Sequence, residues 1–165
     1  MEYTIRKAIS SDMSSVLELI KELAVFERQP DAVIITTDDL VKDGFEQNPL
    51  FKAFVAEVDD KIVGVALYYN RYSTWKGKTI HLEDLIVNQK FRSTGIGKAL
   101  YTEIIKEGKL QQVKRIEWNV LDWNLPAIDF YEKTGAKVLA DWCNVQMDEE
   151  RMDWFIEKNV MQVAK

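Results

Sequence analysis

A glycine-containing stretch, RSTGIG at residues 92–97, is the part of the sequence whose residue types most directly suggest chemistry. An apolar run that ends at Val87 precedes it, and a helical pattern begins near Gly95. The first N–H groups of a helix lack backbone acceptors and carry about half a positive charge, so they attract anions. Glycine lets the backbone approach a phosphate, and Arg92 adds a cationic donor. The stretch predicts a phosphate-binding turn or, more simply, a helix entry with two turn glycines.

Three phosphate-binding patterns can be compared with this turn. The P-loop pattern fails because Arg92 stands at its first glycine and Ala99 at its hydroxyl position. The dinucleotide fingerprint fails because Leu100 stands at its third glycine. The third pattern, Arg/Gln-x-x-Gly-x-Gly/Ala, fits residues 92–97 at every specified position. In this respect the turn resembles the coenzyme A pyrophosphate loop of the GNAT acetyltransferase superfamily.

A second segment, NLPAIDFYEKTGA at residues 124–136, is similar to the second GNAT signature. The matching positions are Asn124, Ala127, Phe130, Tyr131 and Gly135. Asn124 is a suitable helix N-cap, and Pro126 falls in the first turn, where its missing N–H costs nothing. Two motifs in the correct order favour an acyl-coenzyme A enzyme over a simple helix entry.

From about Tyr3 to Trp142 the chain resembles one GNAT branch, the diamine acetyltransferases that act on spermidine, spermine or thialysine. The segments that carry this resemblance are LIKELAVFE, DGFEQNPLF, FVAEV, ALYYNRYSTWKGK and LEDLIV. The polyamine enzymes of the branch have an acidic residue just before the tryptophan, where Ser73 and Thr74 stand here. This departure removes one carboxylate partner of a long polycation, and it leaves thialysine, a shorter diamine or another small amine open.

The resemblance implies acetyl-coenzyme A as co-substrate and no metal. It implies that the backbone of Leu85, Ile86 and Val87 binds the pantetheine arm as an added strand and contacts the developing oxyanion. The residues implied in cofactor binding are Leu85, Ile86, Val87, Arg92, Ser93, Thr94, Gly95, Ile96, Gly97, Lys98, Asn124 and Tyr131.

Acetyl transfer from a thioester to an amine also requires a proton for the leaving thiolate. A phenol with a pKa of about 10 can donate to a thiolate whose pKa is about 8.5. The resemblance implies that Tyr131 is this general acid. The alternative is an aromatic side chain on a core face, for which Phe130 is the better candidate.

The amine must lose its own proton before it attacks, and the LEDL segment offers two carboxylates. Glu83 and Asp84 are adjacent in a predicted strand, so we expect them on opposite faces. The resemblance implies that Glu83 helps to remove the amine proton, through water, and that Asp84 helps to hold the cation. The residues alone leave this assignment open, and they also allow two solvated carboxylates on an edge strand.

Four further residues have functional and ordinary interpretations. Glu27, at the end of the first predicted helix, matches a substrate-binding carboxylate of the branch or is a surface glutamate. Trp75 lies in a predicted turn and lines the acceptor site or a subunit contact. His81 is a base or, more commonly for a lone strand histidine, a packing or surface residue. Cys143 is expected to be a buried, inert thiol rather than an acetyl carrier.

The elements that must position these residues follow from periodicity and turn residues. We predict the order β-α-α-β-β-β-α-β-α-β, with a hairpin at Asp59–Asp60, a second helix capped by Thr37, a third helix closed by Gly108 and a strand over RIEWNVL. We also predict one or two late strands in residues 137–148 and a terminal helix over residues 149–163. The resemblance makes this a single GNAT domain over residues 1–165, an α/β fold with a mixed, mostly antiparallel sheet flanked by helices. It also implies a homodimer, for which the strand DWCNVQM could pair across a two-fold axis.

Composition excludes several other classes of protein. The net charge of −5 over 165 residues is unsuited to nucleic-acid binding, which needs a basic face. No apolar run approaches the roughly 18 residues of a membrane span, and no apolar leader is visible at the N-terminus. With Cys143 as the single cysteine, no internal disulfide can form. We therefore expect a cytoplasmic enzyme of a small amine. The alternatives are a non-catalytic acyl-coenzyme A-binding module and a protein N-acetyltransferase.

Overall fold

The computed structural model describes residues 1–160, which form two compact units. The first unit comprises Met1–Asn119 and contains the sheet, and the second begins at Val120. The prediction of one domain over residues 1–165 stays a prediction. The last residues of the predicted terminal helix, 161–163, lie outside the described residues.

The bounds of the elements agree with most of the predicted order. The strands are β1 Thr4–Lys7, β2 Lys52–Val58, β3 Lys61–Ser73, β4 Gly77–Val87 and β5 Ile116–Glu117. The helices are α1 Met13–Phe26, α2 Thr37–Phe45, α3 Ile96–Leu110, α4 Leu125–Lys133 and α5 Glu149–Val160. Short 3₁₀ turns cover Ser10–Asp12 and Gln89–Phe91.

The sheet has five strands in the order β1-β2-β3-β4-β5. The first four strands pair antiparallel, whereas β5 pairs parallel to β4, so the predicted mixed, mostly antiparallel sheet is confirmed. The predicted β2–β3 hairpin turns at Asp59 and Asp60, whose φ angles are +48° and +59°. Two successive left-handed residues match the twist of the flanking strands, which is why short polar residues occupy this turn.

The two long helices of the first unit cover opposite faces of the sheet. On one face, Met13, Val16 and Leu17 of α1 join a buried cluster with Val55, Val65, Leu67 and Ile86. On the other face, α3 contacts β3 and β4. Its Leu100 side chain lies 3.0 Å from the point where Gly64 would carry a Cβ. Because Gly64 and Val65 alternate across the pleat, α1 and α3 lie on different sides.

Two helix boundaries differ from the sequence prediction. Thr36, rather than Thr37, caps α2, because its hydroxyl accepts from the Asp39 N–H while the Asp39 carboxylate accepts from the Thr36 N–H. Gly108 does not close α3, which continues to Leu110. A Cβ at Gly108 would lie 2.5 Å from Ile116 Cδ1, so this glycine permits close packing of α3 on β5.

The late strands differ more strongly. The strand predicted over RIEWNVL is reduced to two residues, Ile116 and Glu117, which pair with Ile80 and His81. Residues 137–148 form no strand in the described structure. Alternation of apolar residues favours a strand only where a partner edge is present, and no ladder forms here. Cys143 lies in this segment and is exposed, so the prediction of a buried thiol was wrong.

Candidate functional site

The middle of β4 carries a β-bulge that decides which side chains share a face. In the β3–β4 ladder Leu67 pairs with Asp84, but the next pair is Tyr68 with Leu82, so Glu83 is an extra residue on β4. Because β3 alternates regularly, Leu67 and Tyr69 point to the same face. Their β4 neighbours are Asp84 and His81, which therefore share that face although they are three positions apart in the chain.

Glu83 also points to this face, because its carboxylate contacts two of these side chains. The Tyr69 hydroxyl donates to Glu83 Oε2 at 2.8 Å, and His81 Nε2 lies 3.5 Å from the same oxygen. The expectation that Glu83 and Asp84 point to opposite faces was therefore wrong. Simple alternation cannot anticipate a bulge, which reverses the parity of the strand.

Tyr69 is a site residue that the sequence analysis missed. Its ring lies 5.2 Å from the His81 ring, and its hydroxyl holds the Glu83 carboxylate. Burial and the bond to Glu83 raise the pKa of Tyr69 to about 12, so the hydroxyl keeps its proton and remains a donor. His81 is buried between these groups, which fits its predicted packing role and also places it beside a candidate base.

Asp84 and Glu27 complete a group of carboxylates on this face. Burial, and then the charges of Glu83 and Glu27, raise the pKa of Asp84 to about 6. Glu27 is the residue that follows α1, and partial burial raises its pKa as well. We call Glu27, Glu83 and Asp84 the acidic cluster. Glu27, which lies 57 positions before Asp84 in the chain, and the neighbouring Glu83 are thus both brought within electrostatic reach of Asp84.

In residues 1–160 the acidic cluster has no lysine or arginine partner, and the basic group beside it is His81, whose Nε2 lies 3.5 Å from Glu83 Oε2. Within residues 1–160, no lysine or arginine forms an ion pair with Glu27, Glu83 or Asp84. Like charges that are partly removed from water destabilise one another, and a bound cation relieves that repulsion. The cluster is therefore suited to a positively charged ligand.

The predicted phosphate-binding turn lies between β4 and α3, where the sequence placed it. Gly95 is the N-cap of α3 and has a φ angle of +91°, which glycine adopts without strain. Ser93 is also left-handed, with a φ angle of +64°. The N–H groups of Ile96, Gly97 and Lys98 begin the helix and have no acceptor within it. We call residues 92–98 the cradle.

Gly97 leaves the backbone of the first turn of α3 uncovered by a side chain of its own. A Cβ at this position would meet only Val87 Cγ2, at the ordinary contact distance of 3.7 Å. Its backbone is not in the left-handed region either. Neither internal packing nor backbone strain therefore requires glycine at position 97, whereas a phosphate that approaches the first turn of α3 would.

Arg92 stands at the start of the cradle and is tethered to the first unit at three points. Its Nε donates to the Val87 carbonyl at 3.0 Å, and its guanidinium lies 5.5 Å from the centre of the Phe26 ring. One terminal nitrogen lies 3.6 Å from Glu22 Oε1. These contacts fix the arginine at the edge of the turn.

The backbone of β4 between the two regions has an unused edge. β5 pairs with Ile80 and His81, whereas residues 82–87 pair only with β3 in the described part of the chain. Leu85, Ile86 and Val87 therefore have one edge to which an extended ligand could pair. Their binding of the pantetheine arm stays a prediction. The edge joins the acidic cluster to the cradle, because Asp84 and Val87 lie roughly 10 Å apart along the strand.

The second unit holds the other predicted motif. The Asn124 side chain accepts from the Ala127 N–H at 3.4 Å and caps α4, as predicted. Tyr131 is 9% exposed, and its ring packs edge-on against Phe130 at 5.2 Å. Phe130 is only half-buried, so the expectation that it is the better core residue was wrong. The role of Tyr131 as general acid stays a prediction.

Trp75 lies away from the acidic cluster. It is 80% exposed in the β3–β4 turn, beyond the Ser73–Gly77 pair. The Tyr69–His81 pair lies four residues back along each strand, roughly 13 Å away. Its predicted contact with the acceptor therefore stays a prediction.

Residues 1–160 have neither a membrane-spanning helix nor a metal-binding cluster. No helix there combines the length and the apolar character that a bilayer crossing needs. No group of three or more His, Cys, Asp or Glu side chains in those residues is arranged to hold a metal ion.

Comparison with known proteins connects this geometry to a family. The acetyltransferase (GNAT) family matches residues 13–136. Thialysine N-epsilon-acetyltransferase of Sus scrofa is 35% identical over 159 residues, which covers 90% of this chain and 94% of that protein. Spermidine/spermine N(1)-acetyltransferase-like protein 1 of Homo sapiens is 38% identical over 141 residues. That match covers 81% of this chain but only 20% of the human protein.

Solved structures show the same fold. An aminoglycoside acetyltransferase from an uncultured soil metagenomic sample superposes with a TM-score of 0.73 at 22% identity. The match covers 88% of this chain and 97% of that chain. At this identity the similarity concerns the fold alone.

Proposed function

Because the chain belongs to the acetyltransferase (GNAT) family and is an acetyltransferase for amine-type substrates, we propose that it transfers acetyl from acetyl-coenzyme A to a small cationic amine. The observation that carries the choice of acceptor is the acidic cluster. Three carboxylates without a lysine or arginine partner in residues 1–160 favour an ammonium ligand over a neutral or anionic one.

The cradle supports acetyl-coenzyme A as the donor. The unpaired N–H groups at the start of α3, the Arg92 guanidinium and the small residue at Gly97 suit a pyrophosphate. The free edge of β4 at residues 85–87 suits the extended arm that links the pyrophosphate to the thioester. Both features lie in the first unit, within residues 85–98.

The acidic cluster also suits removal of the amine proton. An alkylamine has a pKa of about 10.4 and must be neutral to attack. Because Glu83 and Asp84 interact, a proton taken up by either carboxylate belongs to the pair. Asp84 is half-buried and has a pKa raised to about 6, whereas the Glu83 side chain is 50% exposed. In our proposal Asp84 holds the ammonium group, and the proton leaves to water through Glu83.

The chemical step is then a direct attack. The neutral amine nitrogen forms a bond to the thioester carbonyl carbon, and the carbon–sulfur bond breaks. The departing thiolate takes the Tyr131 hydroxyl proton, a role supported by the match of residues 124–135 to the second motif. As the amide forms, the attacking nitrogen loses its surplus proton, and that proton restores the Tyr131 hydroxyl through water. The products are an N-acetylamine and the free thiol, and one proton is released from the ammonium group.

Among cationic amines, we propose a short acceptor such as thialysine or a small diamine. The relatives named above act on thialysine, or carry spermidine and spermine in their names. Ser73 and Thr74 offer no carboxylate beside Trp75, so the third charge of a long polyamine lacks a partner there. Glu27, Glu83 and Asp84 are sufficient for a ligand with one or two positive charges.

A panel of amines with acetyl-coenzyme A, followed by release of free thiol, tests this function. We expect the largest kcat/KM for short amines with one or two positive charges, and little activity towards neutral amines. If coenzyme A binds tightly but no amine is acetylated, the chain is a non-catalytic binding module. Acetylation of protein amines alone would instead favour a protein N-acetyltransferase.

We also propose that the protein is a homodimer. The segment between α4 and α5 exposes apolar side chains, among them Trp142, Val145 and Met147. Exposed apolar groups of this size favour burial against another surface. Sedimentation at micromolar concentration should give twice the monomer mass of 19.2 kDa, and a monomer would contradict this proposal.

A further inference from the structure

Glu22 links α1 to the segment that leads into the cradle. Its Oε2 accepts from the Asn88 side-chain amide at 2.7 Å, and its Oε1 accepts from the Gln89 backbone N–H at 2.8 Å. The partners are 66 and 67 residues away in the chain, so no local sequence pattern indicates this contact. Hydrogen bonds to a charged acceptor are stronger than those between neutral groups.

Asn88, which follows β4, forms hydrogen bonds through its backbone N–H and through both polar atoms of its side chain. Its backbone N–H donates to the Val63 carbonyl at 2.8 Å, which closes the sheet at this point. Its side-chain oxygen accepts from the Lys90 N–H at 3.2 Å and caps the 3₁₀ turn Gln89–Phe91. The bond from its amide nitrogen to Glu22 fixes the orientation of this cap. The turn continues directly into Arg92.

Glu22 has two opposing effects on a bound phosphate. Its negative charge lies 3.6 Å from the Arg92 guanidinium, which weakens the attraction of that arginine for an anion. Its two short bonds to Asn88 and Gln89 instead fix the backbone from which Arg92 and the first turn of α3 project. The bonds to the turn are shorter by about 0.8–0.9 Å than the contact to Arg92, so the effect on position is the larger one.

We propose that Glu22 is a positioning residue for the cradle: through Asn88 and Gln89 it sets the geometry with which Arg92 and the α3 N-terminus receive the coenzyme A pyrophosphate. This inference rests on the proposed use of acetyl-coenzyme A. Glu22 does not contact the substrate in this role, and it acts before the chemical step. Its loss therefore affects donor binding more than turnover.

Calorimetry with coenzyme A tests the inference. Glu22→Ala and Asn88→Ala should each raise the Kd for coenzyme A about tenfold, because both variants lack the hydrogen bond between the Asn88 amide and the Glu22 carboxylate. The KM for S-acetylpantetheine, which lacks the pyrophosphate, should stay within about twofold of the wild-type value. For acetyl-coenzyme A the KM should rise while kcat changes little. Glu18→Gln, one turn earlier on α1 and paired with Lys21, is the matched control and should bind normally.

An exchange of donor and acceptor separates position from charge. In the double variant Glu22→Gln, Asn88→Asp, an amide on α1 donates to a carboxylate at the turn, and the net charge is unchanged. Coenzyme A affinity should return to within about threefold of wild type, whereas Asn88→Asp alone places two carboxylates together and should bind weakly.

Three results would overturn the inference. Tighter coenzyme A binding by Glu22→Ala would show that the charge of Glu22 dominates. An unchanged Kd with a lowered Tm would show a purely structural role. Equal losses for acetyl-coenzyme A and S-acetylpantetheine would place the effect outside the pyrophosphate site. If the wild-type protein binds no coenzyme A, the proposed function itself fails, which is a different outcome from wild-type binding that the variants leave unchanged.

Discussion

The cradle and the acidic cluster lie close together in the first unit, but the cradle is built mainly from backbone groups and the acidic cluster from side chains. The cradle consists of consecutive backbone N–H groups, two left-handed residues and one arginine, all within residues 92–98. The acidic cluster consists of side chains from β4 and the end of α1, held by Tyr69 from β3. One region is arranged to attract an anion and the other a cation.

This difference predicts how each region responds to change. Most substitutions leave backbone N–H donors in place. Anion binding by the cradle should therefore be sensitive mainly to an added Cβ or to displacement of its backbone. The acidic cluster depends on the charge of each carboxylate, and ionised Asp84 is costly to the folded protein because its pKa is raised. Variants that affect donor binding, acceptor binding or the chemical step alone can therefore separate the two regions.

The largest effect is expected at Tyr131, which belongs to neither region. Tyr131→Phe keeps the ring and its packing on Phe130 but removes the proton donor. Loss of a positioned general acid lowers kcat by about 10²–10⁴-fold, or roughly 3–5 kcal/mol. The Kd for coenzyme A and the Tm should change little. Steady-state kinetics and a melting curve check this, and turnover within about twofold of wild type would show that another group protonates the thiolate.

A substitution of Asp84 should weaken binding of the amine substrate and stabilise the folded protein. Asp84→Asn removes a charged partner of the ammonium group, so kcat/KM for the amine should fall about 10–100-fold. The Kd for coenzyme A should remain unchanged, because the cradle is untouched. Glu18→Gln, which removes a carboxylate from the exposed surface of α1, is the control for net charge. An equal loss of coenzyme A binding would contradict the separation of the two regions.

The same variant has a pH-dependent effect on folding. The pKa of Asp84 is raised from 3.8 to about 6 in the folded protein. The contribution of protonated Asp84 to the free energy of unfolding is therefore fully present below about pH 4, and it is lost as the pH rises through about 6. Asp84→Asn should raise the free energy of unfolding at pH 8 by about 1–3 kcal/mol, and the gain should vanish near pH 4. Denaturant titrations at the two pH values measure this, and equal gains at both would assign the effect to packing.

A smaller effect is expected when a methyl group is added to the cradle. Gly97→Ala places a Cβ at an ordinary contact distance from Val87, so the fold should be retained, with a slight gain from helix propensity. A phosphate that approaches this backbone is displaced, and we expect the Kd for coenzyme A to rise about 3–10-fold. The KM for the amine should stay normal, which is the reverse of the Asp84→Asn pattern. If calorimetry finds an unchanged affinity for coenzyme A, the turn serves only as the entry to α3.

The smallest effect is expected at Tyr69. Tyr69→Phe removes the 2.8 Å bond to Glu83 but keeps the ring beside His81. Without this donor the Glu83 carboxylate is no longer held in its orientation beside His81. At pH 7 we expect kcat/KM for the amine to fall about 3–5-fold, with normal coenzyme A binding. An unchanged kcat/KM would indicate that Tyr69 only packs against His81.

The contrast between the two regions also explains which of them could be predicted from the sequence. The cradle was predicted with its residues and its place between β4 and α3, because a turn of six residues is determined by its own φ angles and by glycine. Glu27, Glu83 and Asp84 were named individually through the family resemblance, but their common face was not. The bulge at Glu83 depends on the pairing of β4 with β3, and Tyr69 reaches Glu83 only because of that pairing.

The local features could be read from the sequence alone: the α/β order of elements, the hairpin at Asp59–Asp60, the N-cap at Asn124 and the glycine turn. Each depends on residues within a few positions of one another. Three other features required the folded chain: Glu83 and Asp84 share a face, Gly108 accommodates Ile116, and Glu22 binds Asn88 and Gln89. These outcomes depend on strand register and on helix packing between residues that are distant in the chain, and local periodicity contains no information on either.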